Sequence, residues 1–199
     1  MYRKTLFPIC ILLICIVSLN VQAQFKYDTI VNMGIYRSYF DLTRKQPVAV
    51  TYTLYKGGGP ASRKNDHFYG TSITLCDKSY SHCGFDRGHM VPAEDFAYSD
   101  SLQAITFSYY NVVPQTMQLN RGAWKSLENK VRKLSQFDTV VVVCMNEYKD
   151  FWTPAICYKF VFCRKKLVLS QGYTNTQDPQ PVQINSKILP LIISMLYDF

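Results

Sequence analysis

Asp86-Arg87-Gly88-His89-Met90, Asn111-Val112-Val113-Pro114-Gln115 and Asn120-Arg121-Gly122-Ala123-Trp124-Lys125-Ser126-Leu127-Glu128 follow one another in the middle of this 199-residue chain. The third stretch opens the clearest helix. Trp124, Leu127, Val131 and Leu134 recur at steps of 3, 4 and 3 residues and form one apolar stripe, with Lys125, Asn129, Lys130 and Lys133 largely outside it. Glu128 and Arg132 are four apart and share a face. The helix starts at Asn120 or Arg121, so Asn120 stands where an N-cap commonly stands.

Each of these residues has an ordinary reading by itself: a satisfied histidine, a capping asparagine, a helix ion pair worth about 0.2–0.5 kcal/mol. Their order and spacing change that. Phosphodiester hydrolysis needs a nucleophile, charge relief at phosphorus and stabilisation of the departing oxygen. A neutral imidazole accepts a proton from water at neutral pH, the role expected of His89, with activity falling as pH drops through a His89 pKa near about 6–7. A hard cation such as Mg²⁺ takes few protein oxygens and keeps several waters. Asn120 offers its amide oxygen as a direct ligand, and Glu128, two turns on, holds the hydrated ion through water and also steadies Arg132. Arg87 meets the phosphate with its planar fork of donors. Gly88 lets the backbone turn so that its neighbours face one cleft. Asp86 is a hydrogen-bonding anchor, and Asn111, ahead of Pro114, orients the helix start or the ligand water. His67 and His82 read as solvated.

In this order the motifs resemble the DNA/RNA non-specific endonucleases of the ββα-metal class. The resemblance runs through Asp86-Arg87-Gly88-His89, Pro92-Ala93-Glu94-Asp95-Phe96, Asn111 to Gln115 and Asn120 to Glu128, and spans at least Gly84 to Arg132. Met90 stands where that family commonly has leucine. Outside this block the likeness thins, although residues 154–162 and 194–199 look similar to the family's later strands and closing helix. The resemblance implies an α+β, ββα-metal (His-Me finger) fold, with a central, mostly antiparallel sheet and flanking helices. It implies His89 as base, Arg87 and Glu128 beside it in catalysis, and Asn120 and Glu128 as the metal residues. Arg87 and Arg132, with Arg63 upstream on the loop before Phe68, are the implied phosphate-binding arginines. Products with 5′-phosphate and 3′-hydroxyl ends are implied as well.

Working outward, residues 47–55 are rich in β-branched and aromatic types and read as a strand ended by Gly57-Gly58-Gly59-Pro60. Residues 61–85 read as a long surface loop. Residues 105–113 read as a strand running into Pro114, and 139–145 as a central strand. Residues 158–162 and 166–172 form a hairpin turning near Arg164 and Lys165. Residues 174–181 are a turn-rich loop, and 184–197 an apolar helix broken by Pro190.

The N-terminus has a signal peptide's layout: Arg3 and Lys4, a 14-residue apolar stretch from Leu6 to Leu19, and small residues ending at Ala23. That stretch falls short of the roughly 20 residues that span a bilayer. The expected organisation is a leader over 1–23, a single endonuclease domain over 24–199, export to the periplasm or medium, and no stable membrane insertion. Without Arg3 and Lys4 the chain keeps 20 basic against 14 acidic residues, a field that attracts polyanions. Its 15 tyrosines and 12 phenylalanines suit strand cores, and some suit stacking on bases. Five cysteines follow the leader, and in an exported protein they read as disulfides: Cys76 with Cys83, and Cys144 with Cys157 or Cys163. None has the CxxC spacing of a structural zinc site.

The function expected is therefore an exported, Mg²⁺-dependent endonuclease, with Mn²⁺ substituting, that acts on DNA and RNA without strong sequence preference. The alternative is a catalytically silent secreted nucleic-acid-binding protein of the same fold.

Overall fold

The computed structural model of the protein describes residues 25–196, so the expected leader lies outside the described residues. In chain order, β1 (Thr29–Asn32), β2 (Tyr36–Asp41) and β3 (Gln46–Leu54) are followed by α1 (Asp77–Tyr80), β4 (Asp86–His89), α2 (Asp100–Ile105), β5 (Val112–Gln115) and α3 (Lys125–Ser135). The chain closes with β6 (Val140–Tyr148), β7 (Pro154–Cys163), β8 (Lys166–Thr174), β9 (Pro181–Val182) and α4 (Leu189–Leu196).

A seven-stranded antiparallel sheet runs β1-β2-β3-β6-β7-β8-β9, with β6 at its centre as the apolar run at 139–145 requires. Side chains alternate across it. Val140, Val142 and Cys144 of β6 and Cys157 and Val161 of β7 face one core, which also holds Met90, Trp124, Leu127 and Val131. Val143, Met145, Tyr158, Phe160 and Phe162 face the other, under Ile192 and Met195 of α4. The first face carries a separate antiparallel ribbon, β4–β5, with α3 beside it, and this ββα unit holds the candidate site. The fold is the α+β, ββα-metal arrangement. No helix among the described residues is long and apolar enough to cross a membrane.

Several local expectations change. Residues 105–113 are strand only from Val112. Ser99 caps α2 by accepting a bond from the Leu102 amide, and the Ser108 hydroxyl accepts one from the Tyr110 amide in a 3-10 turn, so hydroxyl caps override the strand propensity of the run. Pro190 lies at the start of α4, where its missing N–H costs nothing, and does not break the helix. The hairpin forms as read, with Arg164 and Lys165 both at positive φ (49° and 65°), as a two-residue turn requires.

The disulfides do not form, and all five described cysteines are thiols. Cys76 sits at the N-cap of α1 with its sulfur on the Ser79 hydroxyl, and the Cys83 sulfur accepts the Phe85 amide, so each serves a local turn. Cys144 pairs across strands with Lys159, and Cys157 with Asn146. The two cysteines are thus diagonal neighbours, about 7–8 Å apart, beyond the reach of a disulfide. Cys163 lies opposite Val140, near the strand's far end.

Candidate active site

The site is built from the ribbon upward. Asp86, Arg87, Gly88 and His89 pair with Gln115, Pro114, Val113 and Val112. Gly88 is required by packing: a Cβ there would lie 2.3 Å from Gln115 Oε1 and 2.5 Å from its Cγ. Gly88→Ala is therefore expected to destabilise the protein by about 1–3 kcal/mol, as overpacked cores do. Thermal melting of that variant, and of Gly88→Ala/Gln115→Ala in which the clash is removed, checks this. An uncorrected loss in the double variant would place the glycine's role elsewhere. Beyond β5, Asn175 accepts the Thr116 amide at 2.8 Å and donates to the Pro114 carbonyl at 2.9 Å, fixing where the ribbon hands over to the helix.

His89 ends β4 in the wall of a cleft of about 1020 Å³. Its ring lies between Phe68 and Phe107, with centroids 5.3 and 4.9 Å away, and its Nε2 is enclosed without a protein partner. Burial, reinforced by the nearby Arg63 and Arg87 charges, pushes the imidazole down to about 3. It is therefore neutral throughout the ordinary pH range, and the expected titration near 6–7 is corrected: a desolvated ring flanked by two cations resists a third positive charge.

Trp124, fully buried, donates its indole N–H to the His89 carbonyl at 3.2 Å and so locks the helix entrance to the strand carrying His89. That entrance is a π-helical turn, Leu119–Trp124, running straight into α3. Asn120 is inside this turn and is not an N-cap. The wide turn directs Asn120 and Arg121 at Asp86: Asn120 Nδ2 donates at 2.9 Å, and Arg121 makes two bonds of 2.8 Å. Partial burial raises the Asp86 carboxyl, but the donors from Arg121 and Asn120 outweigh it and hold the group below the usual range. With its amide nitrogen committed to an anion, Asn120 has its Oδ1 left for a cation, and Asn120 and Glu128 both line the cleft.

Glu128 carries no hydrogen bond to a described residue, and burial pushes its carboxyl up to about 7 against the pull of Lys159, Arg132 and Arg63. One amide oxygen and one carboxylate fit a hard ion that keeps most of its waters. No cluster of three His, Cys, Asp or Glu is found among the described residues.

Arg63, Arg87 and Arg132 all reach the cleft. Arg87 stacks over the Phe68 ring at 4.5 Å and pairs with Asp77, and Arg63 lies over Phe107 at 5.4 Å. Arg132 pairs with Asp95 and bonds Asn129 at 2.9 Å; the expected tie to Glu128 is not made. Asp95, fully buried and also bonded by the Tyr52 hydroxyl at 2.9 Å, has the stronger need of a counter-charge. Asn111 is likewise corrected. It is buried away from the helix start, accepting the Val91 amide at 2.8 Å and donating to the Val91 and Thr106 carbonyls, so it braces the chain after His89.

A model of the DNA/RNA non-specific endonuclease family matches residues 18–182. The chain belongs to this family. Mitochondrial nuclease EXOG of Danio rerio is 35% identical over 112 residues, 52% of this chain and 33% of that protein. Mitochondrial endonuclease G of Homo sapiens is 40% identical over 65 residues, 33% of this chain and 22% of that protein. A nuclease of Nostoc sp. is 42% identical over 62 residues, 31% of this chain and 23% of that protein. The chain thus spans a third or less of the length of these curated relatives. The solved structure of the EndoG/EndoGI complex superposes with a TM-score of 0.63 at 21% identity, covering 84% of this chain and 81% of that one, which establishes the shared fold.

Within this endonuclease family member, His89, Asn120, Glu128, Arg87, Arg132 and Arg63 converge as the sequence led one to expect. The reading missed their supports. Arg121 grips Asp86, Asp95 grips Arg132, and Lys159 is buried at 4.6 Å from the Trp124 ring. Lys159 had a legible signal, a lysine inside the apolar run Tyr158-Lys159-Phe160-Val161-Phe162 at an inward position.

Proposed function

We infer that the protein is an exported, Mg²⁺-dependent endonuclease that hydrolyses phosphodiester bonds of DNA and RNA, with Mn²⁺ able to substitute and 5′-phosphate ends as products. The observation that carries this reading is the pairing, in one cleft, of a neutral enclosed imidazole at His89 with an Asn120 amide that Asp86 turns oxygen-outward. Family membership and the basic chain support it. Export rests on the leader-like N-terminus.

His89, neutral at neutral pH, takes the proton of the attacking water. Arg87, Arg132 and Arg63 hold and orient the phosphate, and contacts made to phosphate and not to base edges carry no sequence information, which accounts for weak sequence preference. Asn120 would hold the cation directly and Glu128 through water, Glu128 being ready once ionised. The bound cation would supply charge relief at a non-bridging oxygen and at the leaving oxygen. Because water is the nucleophile, no 2′-hydroxyl is needed, and both sugars are substrates.

The test incubates the protein lacking residues 1–23 with circular plasmid and with RNA, with Mg²⁺ and with excess chelator. Cleavage of both, abolished by the chelator, is expected. Undiminished cleavage in chelator, or binding without cleavage as in the silent alternative, would overturn the reading.

A further inference from the structure

Asp77 stands out among the cleft's acids. Asp86 is held by two parallel bonds from Arg121 with 18% of its side chain exposed, and Asp95 is wholly enclosed against Arg132. Asp77, the first residue of the four-residue helix α1, keeps 66% of its side chain exposed and meets Arg87 through one nitrogen and one oxygen. That same Oδ1 receives the Tyr109 hydroxyl at 2.7 Å. Arg87 is stacked on the Phe68 ring, and Tyr109 packs against both Phe68 and Tyr80, so these two donors sit on a rigid aromatic floor while the acceptor between them sits on an exposed side chain.

We propose that Arg87 and Tyr109 together form a phosphate-oxygen subsite, that Asp77 Oδ1 occupies it in the free protein, and that a substrate phosphodiester binds by displacing Asp77. This rests on the reading of Arg87 as a nucleic-acid contact and adds Tyr109 as a second donor and Asp77 as the competitor that sets affinity. A carboxylate oxygen and a non-bridging phosphate oxygen are both anionic acceptors that take a guanidinium and a hydroxyl in the same way. The ion pair between Arg87 and Asp77 is exposed and joins one nitrogen to one oxygen, which is the weak kind, so a phosphate exchanges for it readily. Asp95, wholly enclosed, does not exchange, which makes Arg132 a fixed contact and Arg87 a contested one. Tyr109 is buried beneath Asp77 and becomes available to substrate once Asp77 rotates away.

The experiment measures binding of a short single-stranded oligonucleotide in the His89→Ala background, with chelator, at several salt concentrations. Asp77→Asn is isosteric at an exposed position, and Asp77→Ser serves as its check. Both are expected to bind about two- to five-fold more tightly, the range spanned by an exposed ion pair. The logarithmic salt dependence should also steepen by about 0.7 for the one additional uncompensated contact. On the Asp77→Asn background, Tyr109→Phe should give back about two- to ten-fold, one hydrogen bond's worth. Unchanged or weaker binding by both Asp77 variants, with an unchanged slope, would show that Asp77 merely positions Arg87 and would overturn the proposal. Tyr109→Phe without effect would remove Tyr109 from the subsite and overturn it likewise. Arg87→Ala separates the two levels: if it fails to weaken binding, the phosphate role of Arg87 falls too, and if it weakens binding while the Asp77 variants behave as wild type, only the present inference falls.

Discussion

His89→Ala is expected to lower the rate of cleavage by about 10²–10⁴-fold, the usual contribution of a positioned general base, while nucleic-acid binding in chelator stays within a few-fold of wild type. Single-turnover cleavage of a plasmid and a binding titration read the two parts separately. Retained cleavage would remove His89 from the base role. A second consequence follows from its environment. The folded pKa of about 3 lies below the ordinary 6.5, so the unfolded chain takes up the proton first. The stability tied to this group is present above about 6.5 and is lost as pH falls toward about 3. Between pH 7 and 5 the loss is about 2 kcal/mol from this group alone. Glu128, pushed up to about 7, acts in the opposite sense: its contribution is present below its unfolded pKa and is lost as pH rises through the folded one. The wild-type profile therefore mixes two opposed slopes, and the difference between wild type and His89→Ala isolates the histidine. Denaturant titrations at pH 7 and pH 5 should show the variant gaining about 2 kcal/mol relative to wild type over that interval.

Asn120→Ala is expected to weaken Mg²⁺ or Mn²⁺ binding by at least about 100-fold, since replacing even a residue that only orients a ligand commonly costs 10- to 100-fold. Calorimetric titration of the protein with Mn²⁺, without substrate, reads this directly, and cleavage at fixed metal should fall in parallel. Asp86→Ala should reproduce part of the loss, because the Asn120 amide then rotates freely and Arg121 is released from its two bonds. Metal binding unchanged in both variants would show that the amide oxygen is no ligand.

Much of the site was legible because its chemistry depends on residue type and on short-range spacing. A strand Asp-Arg-Gly-His and a helix face with Asn120, Glu128 and Arg132 each carry their geometry within a few residues. The strand at the sheet's centre and the hairpin at Arg164-Lys165 were legible for the same reason, period 2 and turn chemistry being local. The misreadings at Arg132, at the end of α3 and at Cys144 involve choices between partners distant in sequence. Arg132 has Glu128 one turn away, yet bonds Asp95, 37 residues back, because Asp95 is the fully enclosed charge. Leu134 belongs to the helical stripe by periodicity but is 37% exposed, while Ser135 is buried, its carbonyl and hydroxyl accepting the Lys56 and Gly57 amides. Cysteine counting paired Cys144 with a neighbour, and strand register set that neighbour one diagonal step out of reach.

The order of motifs by itself determined the family and the α+β class and named the candidate reacting groups, because these are properties of side-chain chemistry and local periodicity. Only the tertiary structure decided how strongly each group holds its proton and which charge answers which. Those depend on burial and on charges brought together across the fold: His89 enclosed by Phe68, Phe107 and two arginines, and Asp77 laid across Arg87 by a four-residue helix.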